Sequence, residues 1–435
     1  MAANSNHWTD NHGTGKHWAD SHWTELSSRN ERLAQIKDAS SAGSAGVAPA
    51  SAGAAAMAPA GRGQGGGWQR RGGVAAGAAA LAAAAVAIAG AGTAGAAQAA
   101  SAPAAKPASW HIVKRLGGNV AFTAVTAAGR SGGWAFANGF AAGTRTTAWQ
   151  RSGSSWSEVA FPFARGAGVT AAGASSARDA WAFTDGSMRS RVVHWNGSRW
   201  SVVKSFARTI GSAVVVSRSD VWAFGSPYAP GSGLGTWHFN GRSWSLVRSG
   251  SGLLGGSALS AGSVWAFGGT SVAHWNGHVW ARTSVRGLLP ARQGINSPAV
   301  AAVYAQSANS VWAVGDGYRQ DEGGPVVVLH YNGHRWSRVA RSNVLGFPAT
   351  PQLAPDGHGG LWIPVGPTAG GSNAHLLHYS GGQLTAAVLP SGANRIDVLS
   401  VAGVPATTMA LAAGFSYSGA LGSGPATGVI LQYGG

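Results

Sequence analysis

The sequence predicts an all-β protein made of seven repeated units, and three features of its 435 residues support this prediction. Charged residues make up 10% of the chain, against 68 glycines and 20 tryptophans, which suits many short strands joined by tight turns. A strand of the type VWAFG recurs every 40 to 50 residues, and a degenerate copy lies at Met409 to Gly414. The clear copies carry their tryptophans at Trp134, Trp181, Trp222, Trp265, Trp312 and Trp362. Seven such units of four strands each predict a seven-bladed β-propeller.

A second repeated element explains how the ring closes. Most units contain a strand ending in His-Trp-Asn-Gly or a similar tetrapeptide, followed by a strand that opens with tryptophan. The seventh unit stops at Gln432 to Gly435, where this turn is expected, whereas Ser109 to Val113 resembles an outermost strand with no partner before it. Docking this N-terminal strand beside residues 427–433 completes the seventh blade with one strand from each terminus. The number of blades and the closure therefore support each other.

Within a unit, the spacing predicts four strands. In the fifth unit these are, from innermost to outermost, Ala301 to Gln306, Val311 to Gly315, Val326 to Asn332 and Trp336 to Ala340. Asn-Gly pairs between the outer two strands supply the positive φ that a tight hairpin turn needs. The repeated tryptophans are predicted to pack between neighbouring sheets, with some indole N–H groups bonded at a sheet edge.

These units, VWAFG…HWNGSRW and VWAVG…HYNGHRW, resemble the tryptophan-rich repeats of secreted bacterial propellers, with a distant similarity to kelch and galactose-oxidase-type blades. The resemblance covers residues 109–435, and it implies the fold without implying an activity. Most units lack the kelch glycine doublet. The copper chemistry of galactose oxidase is excluded because its site requires a tyrosine crosslinked to cysteine, and this chain has no cysteine.

Residues 1–71 are predicted to be a disordered, low-complexity region. It contains histidines at five-residue intervals (His7, His12, His17 and His22), but nothing fixes a coordination geometry, so we predict neither a metal site nor a cofactor. Residues 72–102 are predicted to be a signal peptide or a single membrane-spanning segment: paired arginines precede an apolar run that ends at Ala-x-Ala sites. Either translation starts at Met57 and the leader is cleaved, or residues 74–97 stay in the membrane as the only membrane contact.

The two alternatives have the same consequence for residues 103–435, which are predicted to be exported as the propeller and to be extracellular or attached to the cell surface. Alanine contributes little to membrane insertion, so the alanine-rich run favours cleavage over a permanent anchor. The propeller part carries 24 Lys plus Arg against 9 Asp plus Glu, a net charge of 24 − 9 = +15. A surface of this sign attracts anionic polymers.

The histidines of the second repeated element are predicted to be structural. His194, His238, His274, His330 and His378 occupy one position in five different blades, so they are spread around the ring and cannot converge on one ion. Two of the nine acids, Asp179 and Asp220, precede their anchor strands and are interpreted as turn formers.

Ligand-binding residues are expected where the repeats differ, in the loops between second and third strands and in the connections between blades. The candidates are Asn138, Arg145, Asp185, Tyr228, Arg292, Asp316, Tyr318, Arg319, Asp321 and Glu322. Arginine can form paired hydrogen bonds to carboxylate or phosphate, and tyrosine can stack on sugars. Glycoside hydrolysis would need two carboxylates across one bond, but Asp185 and Asp316 belong to blades that are nearly opposite.

The function that we predict is therefore recognition or scaffolding without catalysis. The expected partner is an anionic cell-envelope polymer or an acidic protein, and the propeller is expected to be a monomer. Nucleic acid is not expected, because an exported protein meets little of it and the sequence shows no nucleic-acid-binding motif. The alternative is a polysaccharide-active lyase or hydrolase that uses the loop from Asp316 to Glu322.

Overall fold

A computed structural model shows the architecture of the propeller part of the chain. The described residues are 108–140, 144–162, 167–186, 189–226, 235–248, 252–290, 297–318, 324–366, 375–390, 395–417 and 425–434. The predicted disordered region at 1–71 and the predicted leader at 72–102 lie outside these ranges.

Twenty-eight strands, numbered β1 to β28 in chain order, run through the described residues as seven antiparallel units of four. Blade 1 comprises β2 Val120–Ala128, β3 Gly132–Gly139, β4 Thr147–Ser152 and β5 Ser155–Val159. Blade 2 comprises β6 Gly168–Ser176, β7 Asp179–Gly186, β8 Arg189–Trp195 and β9 Trp200–Phe206. Blade 3 comprises β10 Ile210–Ser217, β11 Asp220–Gly225, β12 Thr236–Phe239 and β13 Trp244–Arg248. This is the strand count that the sequence predicts.

The remaining blades follow the same order. Blade 4 comprises β14 Gly255–Ser260, β15 Ser263–Gly268, β16 Ser271–Trp275 and β17 Trp280–Ser284, and a short 3-10 helix follows at Arg286–Leu288. Blade 5 comprises β18 Ser297–Ser307, β19 Ser310–Tyr318, β20 Gly324–Tyr331 and β21 Trp336–Pro348. Blade 6 comprises β22 Ala354–Pro355, β23 Leu361–Gly366, β24 Leu376–Ser380 and β25 Gln383–Ala386. Blade 7 comprises β26 Arg395–Gly403, β27 Ala410–Tyr417, β28 Thr427–Tyr433 and the N-terminal β1 Trp110–Leu116.

The predicted closure is confirmed. Strand β1 pairs antiparallel with β28, so that Trp110 lies opposite Tyr433 and Leu116 lies opposite Gly428. The ring of Trp110 also packs edge-on against Trp362 of blade 6, with the ring centroids 5.1 Å apart. The first and last described strands are thus held in one sheet by a backbone ladder and by aromatic packing.

The first strands of adjacent blades contact one another and run in the same direction. Thr123 Oγ1 donates to Val169 O at 2.8 Å, and Thr170 Oγ1 donates to Ile210 O at 3.1 Å, so the start of each strand faces the start of the next. All first-to-second and third-to-fourth turns therefore lie on one face, which we name the turn face. The second-to-third loops and the connections between blades lie on the opposite face, which we name the loop face.

The anchor tryptophans pack between sheets, as the sequence predicts. Trp134 is fully buried, and its ring centroid lies 4.8 Å from those of both Trp195 and Trp200 in blade 2. Only a few of the tryptophan indole N–H groups in the described ranges form hydrogen bonds. Trp149 and Trp312 donate to side-chain oxygens, whereas nine buried indole N–H groups have no hydrogen-bond partner within the described residues. Burial of the large aromatic surface therefore dominates these contacts.

Blades 5 and 6 depart from the predicted pattern. Strand β21 continues to Pro348, and it pairs with β23 through Phe347 opposite Gly366 and Pro348 opposite Val365. The two blades are consequently joined into one eight-stranded sheet. The innermost strand of blade 6, β22, has only two residues, because the prolines at 351 and 355 remove the N–H donors that a longer ladder needs.

Candidate functional site

The repeated histidines form a structural motif in five blades. Each imidazole lies against the anchor tryptophan of its own blade, with ring centroids 3.9 to 4.3 Å apart. In blades 4 and 5, the histidine Nε2 is hydrogen-bonded to a serine, Ser263 at 3.1 Å and Ser310 at 3.0 Å. Burial lowers the pKa of both of these histidines, which favours the neutral imidazole. This arrangement agrees with the structural role that the sequence predicts.

In blades 2 and 3, an aspartate replaces that serine, and in blade 6 Asp356, which lies four residues earlier in the turn, binds the histidine instead. Asp179, Asp220 and Asp356 are buried and lie 2.7, 3.3 and 2.9 Å from the Nε2 atoms of the histidines in their blades. The interpretation of Asp179 and Asp220 as turn formers is therefore incomplete, because both open a strand and turn their carboxylates inward. The sequence does not reveal this role, because an aspartate at this position of the repeat can either form a turn or bind the histidine.

Hydrogen bonding determines the ionisation of two of these aspartates. Burial opposes ionisation of Asp356, but hydrogen bonds from His378 and from the backbone N–H groups of His358 and Gly360 outweigh it. The pKa of Asp356 consequently lies below its ordinary value of 3.8. The pKa of Asp179 is lowered in the same way: burial raises it, but hydrogen bonds from His194 and Ser175 prevail.

Replacement of Asp356 with alanine is expected to lower the free energy of unfolding by on the order of 2 kcal/mol, because three donors lose their buried acceptor. The matched substitution Asp220→Ser should cost less, since serine already fills the equivalent position in blades 4 and 5. Equilibrium denaturation measures both values. Equal losses in the two variants would contradict the assigned hydrogen bonds.

The same pairs predict how stability depends on pH. Because the folded-state pKa of Asp179 and of Asp356 is lowered, the unfolded chain binds protons more readily as the medium becomes acidic. The two carboxylates therefore make their full contribution to the free energy of unfolding above about pH 4. That contribution is lost as the pH falls through their lowered folded-state pKa values. In the Asp356→Ala variant, the acid-induced fall in stability should be shallower than in the wild type. An unchanged acid limb would contradict this prediction.

The loop face contains only some of the predicted ligand residues within the described part of the chain. Tyr228, Arg292, Arg319, Asp321 and Glu322 lie outside it. Asp185 belongs to β7, and Asp316 and Tyr318 end β19, so the structure places them at the loop-face ends of blades 2 and 5. The carboxylate of Asp316 is nearly buried.

Asn138 and Arg145 are both described at the loop face, and they differ in role. The Asn138 amide donates to Thr123 Oγ1 at 2.9 Å and accepts from the Val169 N–H at 3.2 Å, so it connects blade 1 to blade 2. Asn138 therefore has a structural role between blades, and its predicted role as a ligand contact stays a prediction. Arg145 remains a candidate: its side chain is 55% exposed, and it forms a long ion pair of 3.9 Å with Glu158.

A buried polar cluster lies where blades 6 and 7 meet at the loop face, and the sequence analysis did not predict it. His375 Nδ1 lies 2.6 Å from Asp397 Oδ1, although the angle is not that of a hydrogen bond. Burial, reinforced by the Asp397 charge, raises the pKa of the nearby Tyr417 to about 12. The one available signal was that His375 lies outside the repeated histidine position, three residues before His378.

The turn face has a simpler charge pattern. Its turns carry six exposed arginines, namely Arg130, Arg178, Arg199, Arg218, Arg242 and Arg335. The acids in these turns are Asp179, Asp220 and Asp356, and all three are buried against histidines. Among the described residues, the exposed formal charge of this face is therefore entirely positive, whereas the loop face also exposes Glu158.

An open depression of about 830 Å³ also lies on the turn face, where blades 6, 7 and 1 meet. Its lining residues are Arg130, Gly357, Ala406, Thr407, Thr408 and Met409. Ala406 adopts a positive φ of 56°, which L-residues other than glycine adopt only in exceptional turns. The depression thus combines one cation with hydroxyl groups at a strained turn.

Two chemical features are absent from the part of the chain that the structure describes. No group of three or more His, Cys, Asp and Glu side chains is placed to hold a metal ion. No described helix is both long enough and apolar enough to cross a membrane.

Comparisons with known proteins find similarity in fold only. No protein-family model matches the sequence, and no curated protein is a detectable relative. The chain is similar in fold to the solved structure of YCF48 bound to D1 peptide, with 12% identity, a TM-score of 0.48, and coverage of 75% of this chain and 97% of that one. It is similar to U3-55K with 10% identity, a TM-score of 0.49, and coverage of 75% and 98%.

A third similar structure is the SapL1 lectin in complex with alpha methyl fucoside, with 13% identity, a TM-score of 0.40, and coverage of 64% of this chain and 99% of that one. At such identities the similarity concerns the fold alone. The expected likeness to kelch and galactose-oxidase-type blades remains a prediction. The strand order and the closure by β1 make the chain a seven-bladed β-propeller with four-stranded blades.

Proposed function

We propose that this chain is an exported recognition or scaffold propeller of the tryptophan-rich secreted type, without catalytic activity, whose partner is an anionic envelope polymer or an acidic protein. The observation that supports the proposal is the separation of its charges. Residues 103–435 contain nine acids, and five of them are buried: Asp179, Asp220, Asp316, Asp356 and Asp397. The arginines of the turns, by contrast, are exposed.

This separation makes the accessible surface more cationic than the net charge suggests. A cationic surface raises the local concentration of an anionic partner, and guanidinium groups can form paired hydrogen bonds to carboxylate and phosphate. Exposed pairs of this kind are individually weak and are screened by salt, so useful affinity requires several of them acting together. A repeated anion, such as a polymer or an acidic protein surface, meets that requirement.

Binding of the purified full chain to isolated cell-envelope fractions is expected to fall at least tenfold between about 50 mM and about 200 mM salt, because each neutralised anion releases its counterions. Sedimentation of bound protein across a salt series measures this dependence. Affinity that is insensitive to salt would contradict recognition through charge and would favour a shaped pocket. Absence of binding at low salt would exclude envelope polymers and leave an acidic protein as the partner.

A further inference from the structure

Five of the six turn-face arginines belong to three adjacent blades. Blade 1 contributes one arginine, and blades 2 and 3 contribute two each, one from each of their two turns on this face. We name this group the arginine arc, and its members are Arg130, Arg178, Arg199, Arg218 and Arg242. The two turns of one blade are neighbours, since a Cβ added to Gly197 would lie 3.3 Å from Cβ of Arg178. The turns of blades 1 and 2 also approach each other, since a Cβ added to Gly132 would lie 3.3 Å from Cβ of Ala177, so members of the arc stand on neighbouring turns.

The arc is built on ordered turns. In blade 2, Asn196 Oδ1 accepts from the backbone N–H groups of Ser198 and Arg199 at 3.0 and 3.1 Å. In blade 3, Asn240 Oδ1 accepts in the same way from Arg242 and Ser243, both at 3.0 Å. These bonds hold the backbone of the two turns and do not involve the guanidinium groups. None of the five guanidinium groups forms an ion pair with an acid in the described residues.

The histidine motif turns the acids beside the arc inward, and one member of the arc, Arg218, acts through its charge on one of them, Asp179. Asp179 follows Arg178 directly in the sequence, and Asp220 lies two residues after Arg218. Both carboxylates are buried and point to His194 and His238, at 2.7 and 3.3 Å from Nε2. The acids that could neutralise the arc are thus held inside the blades, and the arginines beside them remain exposed to an external anion.

The chemistry around the arc favours an extended polymer over a folded protein. The turn residues that accompany the arginines are serine, asparagine, glycine and alanine, and a tight protein interface usually needs a buried aromatic or aliphatic centre. For the same reason, the arc offers no apolar group to insert into a membrane. At the Arg130 end it leads into the depression of about 830 Å³ where blades 6, 7 and 1 meet.

We infer that the arginine arc binds an extended anionic polymer, which lies across the turns of blades 1 to 3 and places one anionic group beside Arg130 in the depression. This inference rests on the proposed function and assigns it to the turn face rather than to the loop face that the sequence predicted. Each anion in the polymer meets a guanidinium from a successive turn, and the serine and asparagine groups between them offer hydrogen bonds to sugar hydroxyls or polymer oxygens.

The test compares two double variants of the full chain that remove equal charge. Arg178→Ser with Arg242→Ser removes two members of the arc, and Arg189→Ser with Arg286→Ser removes two exposed arginines on the loop face. Labelled polygalacturonate, polyphosphate and poly-L-glutamate serve as probes in fluorescence anisotropy across a salt series. Vesicles that contain phosphatidylglycerol serve as the membrane probe. Thermal unfolding verifies that each variant is folded.

The arc variant is expected to bind the polymers at least tenfold more weakly, with its salt dependence reduced by about two fifths, because two of five contacts are lost. The loop-face variant should change the affinity less than threefold, and Arg178→Lys with Arg242→Lys should retain most of the salt dependence. Equal weakening by both serine variants would overturn the inference while preserving the proposed function. Binding to vesicles but to none of the polymers would also overturn it. Failure of the wild type to bind any probe or envelope fraction would overturn the inference and the polymer form of the proposed function, and would leave an acidic protein as the partner.

Discussion

Replacement of Trp222 with alanine is expected to lower the free energy of unfolding by about 3–5 kcal/mol. This tryptophan is fully buried at the junction of blades 3 and 4, and its ring stacks on His238 with the centroids 4.3 Å apart. Its other face meets Trp275 and Trp280 of the next blade, at 5.6 and 5.7 Å between centroids. Alanine would leave a cavity on both sides of this junction, and the rigid neighbouring sheets cannot collapse to fill it.

A control for this prediction is available on the outer strand of blade 3. Leu246 is 47% exposed, so Leu246→Ala should change the free energy of unfolding by less than about 0.5 kcal/mol. Equilibrium denaturation in guanidinium, followed by tryptophan fluorescence, compares the two variants. If Trp222→Ala cost no more than Leu246→Ala, the packing between blades would not be the main source of stability.

Removal of β1 is expected to destabilise the ring more than any single substitution. A chain that begins at residue 117 loses the whole ladder between β1 and β28, together with Trp110, which is buried against Trp362 and Tyr433. Blade 7 then keeps three strands, and β28 becomes an unpaired edge that invites association with other chains. We expect oligomers or aggregates in size-exclusion chromatography and a lower denaturation midpoint.

A chain that begins at residue 108 is the matched control, because it retains β1. It should elute as a compact monomer with the denaturation midpoint of the full chain. Should the chain without β1 behave like this control, closure by the N-terminal strand would contribute nothing to stability. Addition of a synthetic peptide with the sequence of residues 108–117 should partly restore the midpoint of the shortened chain, since the edge of β28 remains available.

Repetition explains which parts of this structure could be predicted from sequence. The spacing of the anchor tryptophans predicts the number of blades, and the partnerless strand at Trp110 predicts the closure. Both predictions rest on a comparison of several units and do not depend on any single side chain. The extension of β21 to Pro348 was missed, since its second half departs from the repeat. The pairing of His375 with Asp397 was missed because residues from two blades meet only in the folded ring.

Charge was predictable in amount but not in placement. The excess of arginine is visible in the composition, and it predicts an anionic partner. The sequence could not show that Asp179 and Asp220 turn inward, because an exposed and a buried turn aspartate look alike in a sequence. The sequence predicts ligand residues in the loops where the repeats differ. The exposed arginines of the turn face lie in the turns that recur in each repeat, so that criterion does not find them.

The joining of blades 5 and 6 has a consequence for how the ring opens. At the other junctions between described blades, sheets meet mainly through side chains, which can slide or separate without breaking a strand ladder. Where β21 pairs with β23, separation must first break main-chain hydrogen bonds, including that from the Ala349 N–H to Pro364 O at 3.0 Å. We therefore expect blades 5 and 6 to open together, and local opening of the ring to begin at one of the other junctions.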